Sequence, residues 1–338
     1  MNKFSKLLFL LIVFSSTLIT VSSYSWLGMW LGLEINLLSI IPLMNEKKNL
    51  MTAEASMKYF IVQAIASSII LMSIIIMTLK MNLFSFLEPM NYTLFLTSAL
   101  LTKMGMAPFH FWFPEVLEGL SWINCLLILT WQKLAPMILI LYNPSNMKFI
   151  SISIIISVII SGLMALNQVS IRKIMAFSSI NHMGWMMSMI MTMQTIWLIY
   201  FIIYSLITVN LIIIFEKTKC FFINQLSLIN KNNMTKILFI LNFLSLSGIP
   251  PFLGFIPKWL SIQILMEKNM FLLTTIMIMA TLIMIFTYIR ISLSSFILNL
   301  SELKWKMNWE WPMISINTLI LNFWAISSMI LITILLLI

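Results

Sequence analysis

Long apolar stretches alternate with short polar breaks from one end of the chain to the other. A stretch of roughly 20 apolar residues crosses a hydrocarbon layer about 30 Å thick. Because lipid offers the backbone no hydrogen-bond partners, segments that cross it must be helices or strands of a closed barrel. Barrel strands alternate polar and apolar residues. A run such as residues 150–160 does not alternate throughout, since Ile154, Ile155 and Ile156 are consecutive, so helices are predicted.

The pattern predicts an all-α membrane protein with about eleven transmembrane helices. The loops between them are short, and the longest polar stretch is Glu216 to Lys236. We therefore expect one transmembrane domain over residues 1–338, without soluble domains. The predicted spans are 7–23, 26–44, 57–79, 91–120, 121–142, 149–166, 174–193, 195–215, 236–266, 271–294 and 314–337.

Two of the predicted spans, 91–120 and 236–266, are too long for a single crossing, since about 30 residues of straight helix extend about 45 Å. Each carries the motif Pro-Phe-x4-Pro in its middle, and the two motifs are 143 residues apart. Proline removes an amide donor and clashes with the preceding helical turn. We expect both spans to be interrupted by unwound backbone, at about 105–114 and 248–257.

The two motifs form an internal repeat. They lie on the fourth and ninth spans, five positions apart in helix order, so the repeated units would be inverted in the membrane. We predict two inverted five-helix repeats, at about 7–142 and 149–294, each with one discontinuous helix, and a C-terminal helix at 314–337. Paired broken helices in inverted repeats are typical of ion-translocating proteins. Two unrelated proline kinks are the alternative.

Composition removes several classes of function. The chain is 61% hydrophobic and only 9% charged, whereas about a quarter of a soluble domain is charged. The net charge of +10 does not indicate a nucleic-acid partner, because the basic residues lie between spans. Cys125 and Cys220 are isolated and show no metal-ligand spacing. No glycine-rich phosphate motif is present, so no nucleotide site is predicted.

The basic residues also predict an orientation. Loops on the N-terminal face would carry thirteen of the 20 Lys and Arg, and loops on the other face three. The remaining four lie within spans. Positive charge collects on the cytoplasmic or matrix side, so the N-terminus is placed there and an odd number of helices puts the C-terminus on the opposite side. We interpret the basic N-terminus and its apolar run as a mature helix, because no convincing cleavage site follows.

Four ionisable residues, Glu34, Lys103, Lys133 and Lys258, lie near the middle of spans. Each charge would cost roughly 2.5–3.5 kcal/mol at the bilayer centre, so these side chains must face the bundle interior, water or one another. A buried lysine can load and release a proton when its hydration or a nearby carboxylate changes. Structural ion pairs are the alternative. Arg290, near the end of its span, is interpreted as a snorkelling side chain.

The only histidines, His110 and His182, are candidate proton relays because imidazole titrates near neutral pH. His110 lies inside the first Pro-Phe-x4-Pro motif, and His182 lies near the middle of the seventh span. Hydrogen-bonded packing histidines are an equally open interpretation.

Five segments carry a specific resemblance. They are Trp30–Asn36, Lys103–Pro114, Thr130–Lys133, Leu166–Ser179 and Pro250–Phe255. In this order they resemble the antiporter-like membrane subunits of mitochondrial NADH:ubiquinone oxidoreductase, respiratory complex I, especially in its insect forms. The family is related to bacterial cation/proton antiporters, and its bacterial members have fourteen helices, so this chain begins three helices later. A composition rich in Ile, Met, Phe, Leu, Asn and Lys and without Asp is similar to that of A+T-rich animal mitochondrial genomes.

The resemblance implies roles for individual residues. Glu34 and Lys103 would be a functional pair, Lys133 a bridging lysine, and Lys258 the lysine of the second broken helix. Together they would translocate protons from the matrix to the intermembrane space, driven by quinone reduction elsewhere in the complex. This chain would have no catalytic redox residue and bind no metal or cofactor, since NADH, FMN, iron–sulfur clusters and ubiquinone would bind other subunits.

The resemblance also implies a location and partners. The chain would be a multi-pass protein of the mitochondrial inner membrane, with its N-terminus in the matrix and its C-terminus in the intermembrane space. It would contact membrane lipids and the other membrane-arm and accessory subunits. Two alternatives stay open: a stand-alone cation/proton antiporter, and a structural or assembly subunit without its own proton path.

The predicted orientation can be tested by labelling the loop from Glu216 to Lys236. The positive-inside bias predicts that a membrane-impermeant reagent reaches this loop from the matrix side only. Labelling from the intermembrane side would contradict the orientation.

Overall fold

The computed structural model describes residues 3–45, 49–80, 90–143, 147–226 and 233–297. These residues form thirteen α-helices and one isolated antiparallel bridge, between Ser170 and Phe222. The predicted C-terminal helix at 314–337 lies outside the described residues.

The chain divides into two compact units, Met1–Ser157 and Val158–Ile338. Within the first unit the helices are α1 (Lys3–Ser22), α2 (Trp26–Met44), α3 (Leu50–Lys80), α4 (Met90–Met104), α5 (Trp112–Gly119), α6 (Trp122–Leu129) and α7 (Trp131–Tyr142). Helix α8 (Met147–Leu166) runs across the boundary between the units. Within the second unit the helices are α9 (Ile171–Thr192), α10 (Gln194–Thr218), α11 (Asn233–Ser247), α12 (Phe255–Glu267) and α13 (Phe271–Ile297).

Seven helical segments of the described residues are long and apolar enough to cross a membrane, counting Trp122–Tyr142 as one. They carry exposed apolar side chains on their outer faces, as lipid requires. The protein is therefore an all-helical, multi-pass integral membrane protein.

In the first unit, α2 packs against α1 and α3, while α7 packs against α1, α4 and α6. The indole of Trp30 on α2 donates to the Ser67 carbonyl of α3 at 3.1 Å. The Asn124 amide of α6 donates to the Leu43 carbonyl of α2, also at 3.1 Å. These side chains satisfy backbone groups that lipid cannot, so they fix α3 and α6 against α2.

In the second unit, α9 is the central helix. Every side chain from Ile174 to Ile190 is buried, on all faces of the helix. Helices α10 and α12 pack directly against it, and α11 packs between α10 and α13. A helix buried on all sides can carry polar side chains without exposing them to lipid, which explains why α9 accommodates His182 and several serines.

Both long predicted spans are divided in two. Helix α4 ends at Met104 and α5 begins at Trp112; α11 ends at Ser247 and α12 begins at Phe255. The non-helical segments, 105–111 and 248–254, fall inside the ranges predicted from the proline motifs.

Glycines, rather than the later prolines, end the first helix of each pair. Gly105 and Gly248 follow α4 and α11 directly, with left-handed φ angles of 71° and 75°. After α4, the Gly105 amide donates to the Thr102 carbonyl and the Met106 amide to the Leu101 carbonyl, each at 3.1 Å. This pair of bonds is the Schellman motif that terminates helices.

The later prolines have a different effect from the one predicted. Pro114 and Pro257 are the third residues of α5 and α12, where the missing amide would have no helical partner in any case. They therefore start the second helix of each pair. The glycines share the 143-residue spacing of the proline motifs, so the repeat includes the helix stop as well.

Two further differences from the predicted spans concern helix bounds. Helix α3 begins at Leu50, seven residues earlier than predicted, so Lys58 lies in its third turn instead of at its start. Its ammonium pairs with Glu54 at 2.9 Å and with Glu115 at 3.0 Å. The fifth span is also interrupted, at Thr130 between α6 and α7, a break that no motif indicates.

The glycine stop can be tested with Gly105→Ala. Alanine at this φ angle costs roughly 1–2 kcal/mol, and its Cβ would lie 2.8 Å from Cδ2 of Phe113. We expect a lower thermal unfolding midpoint for the purified chain in mild detergent. Gly28→Ala, in the first turn of α2, is the matched control: its backbone is helical and its Cβ would lie 3.1 Å from Cβ of Ser23 and from Oγ of Ser25, so we expect a smaller loss. An equal effect of the two variants would contradict the assigned stop.

Candidate functional site

Lys103 lies in the last turn of α4, at the edge of the first break, and is 7% exposed. Two side chains satisfy the carbonyls that the break releases. The Gln63 amide donates to the Lys103 carbonyl at 3.1 Å, and the Trp112 indole donates to the Thr102 carbonyl at 3.1 Å. Polar contacts from α3 and α5 therefore stabilise the non-helical backbone of the break.

A small polar cavity adjoins Lys103. Its volume of about 10 Å³ gives room for roughly one water molecule, which needs two to four polar partners. The polar residues that line it are Asn36, Tyr59, Gln63, Lys103 and Gln132, and the apolar ones are Leu33, Leu37 and Pro136. The cavity therefore offers a water site next to a buried ammonium.

A closed amide pair borders this cavity. The Asn36 side-chain nitrogen donates to the Gln132 oxygen and the Gln132 nitrogen donates back to the Asn36 oxygen, each at 3.0 Å. This pair joins α2 to α7. Pro136 also lines the cavity and has no amide to donate to the Gln132 carbonyl one turn earlier. The Gln132 carbonyl therefore lacks its usual helical hydrogen bond.

Glu34 lies on α2, between Leu33 and Leu37, which line the cavity, and is half-buried. Lys103 lies in the same unit, on α4. The functional pairing of Glu34 with Lys103 that the resemblance implies stays a prediction.

Lys133 lies in the first turn of α7 and is 1% exposed. Its ammonium nitrogen lies 5.3 Å from the centroid of the Phe113 ring, within the range at which aromatic faces attract cations. Phe113 belongs to α5, and its ring packs directly on Gly105. A residue of α5 that packs on the first break therefore contacts the lysine of α7.

His110 lies in the non-helical segment between α4 and α5 and is buried. Its ring centroid lies 4.4 Å from that of Phe111, and its carbonyl accepts the Phe113 amide at 3.0 Å. His110 thus lies in the break that follows Lys103 and α4, and its carbonyl holds the amide of the second residue of α5.

The second unit places Lys258 at its own break. Lys258 is the fourth residue of α12 and is 9% exposed. Its ammonium donates to the carbonyl of Ser247, the last residue of α11, at 2.7 Å. A Cβ at Gly248 would lie 2.8 Å from Cδ of Lys258, so the glycine also makes room for this lysine. Here the lysine itself satisfies the released carbonyl.

His182, on α9, is buried in the second unit. Its Nδ1 lies 3.0 Å from the Tyr200 hydroxyl, and its ring centroid lies 5.1 Å from that of Tyr204. A second cavity of about 10 Å³ adjoins these residues and extends to Ser245, Gly254 and Pro257 at the break.

The predicted site residues therefore fall into two groups. Glu34, Lys103, Lys133 and His110 lie in the first unit, and Lys258 and His182 lie in the second. Sequence reasoning missed the residues that hold these groups, which are Asn36, Gln63, Phe113, Gln132 and Tyr200. The amides alone could have been suspected, because Asn and Gln are rare in apolar spans and need partners there.

These features define a class: an all-helical membrane protein with two broken helices, each with a buried lysine, the arrangement typical of ion-translocating proteins. Residues 23–284 match the model of the family described as NADH:quinone oxidoreductase/Mrp antiporter, TM. The chain belongs to this family.

Relatives extend the similarity to nearly the full length. NADH-ubiquinone oxidoreductase chain 2 of Anopheles gambiae is 51% identical, over 98% of each chain, and that of Aedes aegypti is 48% identical over the whole of both. In fold, the structure is similar to a chain of respiratory complex I from Thermus thermophilus. That match has a TM-score of 0.82 at 22% identity, over 97% of this chain and 79% of that one. A chain of the Mrp complex from Dietzia matches with a TM-score of 0.73 at 16% identity, over 84% and 59%.

The amide pair can be tested by a double-mutant cycle. Asn36→Leu leaves the Gln132 amide buried without its partner, which costs about 1–3 kcal/mol. The double variant Asn36→Leu/Gln132→Leu removes both polar groups, so we expect it to recover most of the loss in thermal unfolding midpoint. Additive losses would contradict a coupled pair.

Proposed function

We propose that the chain is a proton-translocating membrane-arm subunit of NADH:ubiquinone oxidoreductase. It moves protons from the matrix to the intermembrane space, driven by quinone reduction elsewhere in the complex. The observation that carries this proposal is the burial of a lysine at each of two helix breaks, beside released backbone carbonyls. Charges are kept at such depth when function needs them.

The surroundings of Lys103 suit loading and release of a proton. Neutral lysine accepts a proton and charged lysine donates one, and the adjoining cavity has room for a water to deliver it. In this proposal Glu34 is the carboxylate that pairs with Lys103. A movement of Glu34, or a change in hydration, releases the proton.

In our proposal Lys133 and Lys258 also load and release protons. The Phe113 ring supports a charge on Lys133, and the Ser247 carbonyl accepts a hydrogen bond from Lys258. Lys133 is the bridging lysine that the resemblance implies, with His110 and His182 as further relays. The redox step takes place on other subunits, which hold NADH, FMN, iron–sulfur clusters and ubiquinone, while this chain carries no redox residue, metal or cofactor.

We further propose eleven transmembrane helices, ten within the described residues and one at 314–337. The first ten form two inverted five-helix repeats, about 7–142 and 149–294, in one transmembrane domain. The matching glycine stops and Pro-Phe-x4-Pro motifs support the repeat. The N-terminus lies in the matrix and the C-terminus in the intermembrane space of the mitochondrial inner membrane, as the loop charges support.

In this assembly the partners are the other membrane-arm and accessory subunits and the surrounding lipids. A stand-alone cation/proton antiporter would use the same buried residues. The full-length similarity to subunits named NADH-ubiquinone oxidoreductase chain 2 favours the complex. Co-migration of the chain with a large NADH-oxidising assembly discriminates between the two.

The proposal predicts the effect of Lys103→Met and Lys258→Met. Methionine keeps the length of the side chain but cannot carry a proton, and loss of a positioned proton-transfer group lowers rates by tenfold or more, on the order of 10² in many enzymes. We expect each variant to assemble and to pump at least about tenfold more slowly in proteoliposomes, measured against NADH oxidation.

Lys148→Met is the matched control, because Lys148 is an exposed lysine at the start of α8. It should pump at the wild-type rate. Full pumping by both buried-lysine variants in an intact complex would favour a structural subunit instead.

A further inference from the structure

Two phenols from one face of α10 enclose the His182 imidazole. Tyr200 and Tyr204 are four residues apart, so they lie one turn apart on the same face of the helix. Both are buried, with exposed fractions of 1% and 3%, and His182 on α9 is 8% exposed. The imidazole is therefore surrounded by groups of the protein.

The Tyr200 hydroxyl can hydrogen-bond to His182 in either protonation state of the imidazole. The Tyr200 hydroxyl lies 3.0 Å from Nδ1. A hydroxyl can both donate and accept. It donates to Nδ1 when the imidazole is neutral with its proton on Nε2, and it accepts from Nδ1–H when the imidazole is charged. A backbone carbonyl could only accept, and an ammonium could only donate.

A cavity connects this pair to the second break. It is lined by His182, both phenols and Ser245, together with Gly254 of the break and Pro257 of α12. Its volume of about 10 Å³ admits about one water, for which the imidazole, the phenols and the serine hydroxyl provide polar partners. Lys258 follows Pro257 directly in the chain.

From this geometry we infer that Tyr200 is a positioning residue for His182. It keeps one hydrogen bond to Nδ1 in both protonation states, so His182 can gain and lose a proton without breaking its contact with α10. The cavity is a water site through which His182 exchanges protons with the break that carries Lys258. This inference rests on the proposed proton translocation and assigns a role to a residue outside the lysine series.

The test is Tyr200→Phe in the assembled complex, which removes one oxygen and keeps the ring. We expect normal assembly, proton pumping in proteoliposomes about tenfold slower, and a larger solvent deuterium isotope effect on pumping. A merely structural tyrosine would leave the isotope effect unchanged. Tyr142→Phe is the matched control: its hydroxyl also makes one hydrogen bond, to the Val21 carbonyl at 3.3 Å, but Tyr142 is 50% exposed.

A double-mutant cycle shows whether Tyr200 acts through His182. Because the residues share one contact, Tyr200→Phe should reduce pumping little further in a His182→Gln background. Wild-type pumping by Tyr200→Phe, or independent losses that multiply in the double variant, would overturn the inference.

The lysine variants separate this inference from the proposed function. If Lys103→Met and Lys258→Met stop pumping while Tyr200→Phe pumps normally, the inference about Tyr200 fails and proton translocation stands. If both lysine variants pump normally, the proposed function itself fails, and the role inferred for Tyr200 fails with it.

Discussion

The structure depends on one constraint: a backbone carbonyl released inside the membrane must find a donor within the protein. Helix α4 stops at Gly105 and α11 stops at Gly248. Gln63 supplies the donor at the first stop and Lys258 at the second. Each break is therefore a place where polar side chains are required, and polar side chains there provide positions for water.

Buried lysines follow from the same constraint. An ammonium has three hydrogens to donate, so a released carbonyl is one of the few partners that can hold it in an apolar interior. The contact of Lys258 with Ser247 shows this directly. In the first unit the amide of Gln63 donates to the carbonyl instead, which leaves the Lys103 ammonium beside a polar cavity. The two breaks are built alike but hold their lysines differently.

The sequence predicted the features that depend on local chemistry. The helical class and the places of the breaks follow from hydropathy and from Pro108 and Pro251, because both act on neighbouring residues. The cause of the breaks was predicted only in part, because a left-handed Gly105 leaves no pattern as regular as a repeated proline motif.

The contacts around the site could not be predicted, for a physical reason. Gln63 meets the Lys103 carbonyl 40 residues away, and Asn36 meets Gln132 across 96 residues. Such pairs depend on how helices pack, and packing in lipid is set by many small contacts without a periodic signal. The interruption of the fifth span at Thr130 could not be predicted either, because no glycine or proline motif in its sequence indicates the end of a helix.

The central claim is that water reaches the buried ionisable groups at both breaks. A high-resolution structure of the assembled complex with ordered solvent tests it most directly. The account predicts water in the cavity beside Lys103 and in the cavity beside His182, each hydrogen-bonded to the side chains that line it. Cavities that are dry and filled by apolar side chains in every state, or Lys103, Lys133 or Lys258 facing lipid, would contradict it.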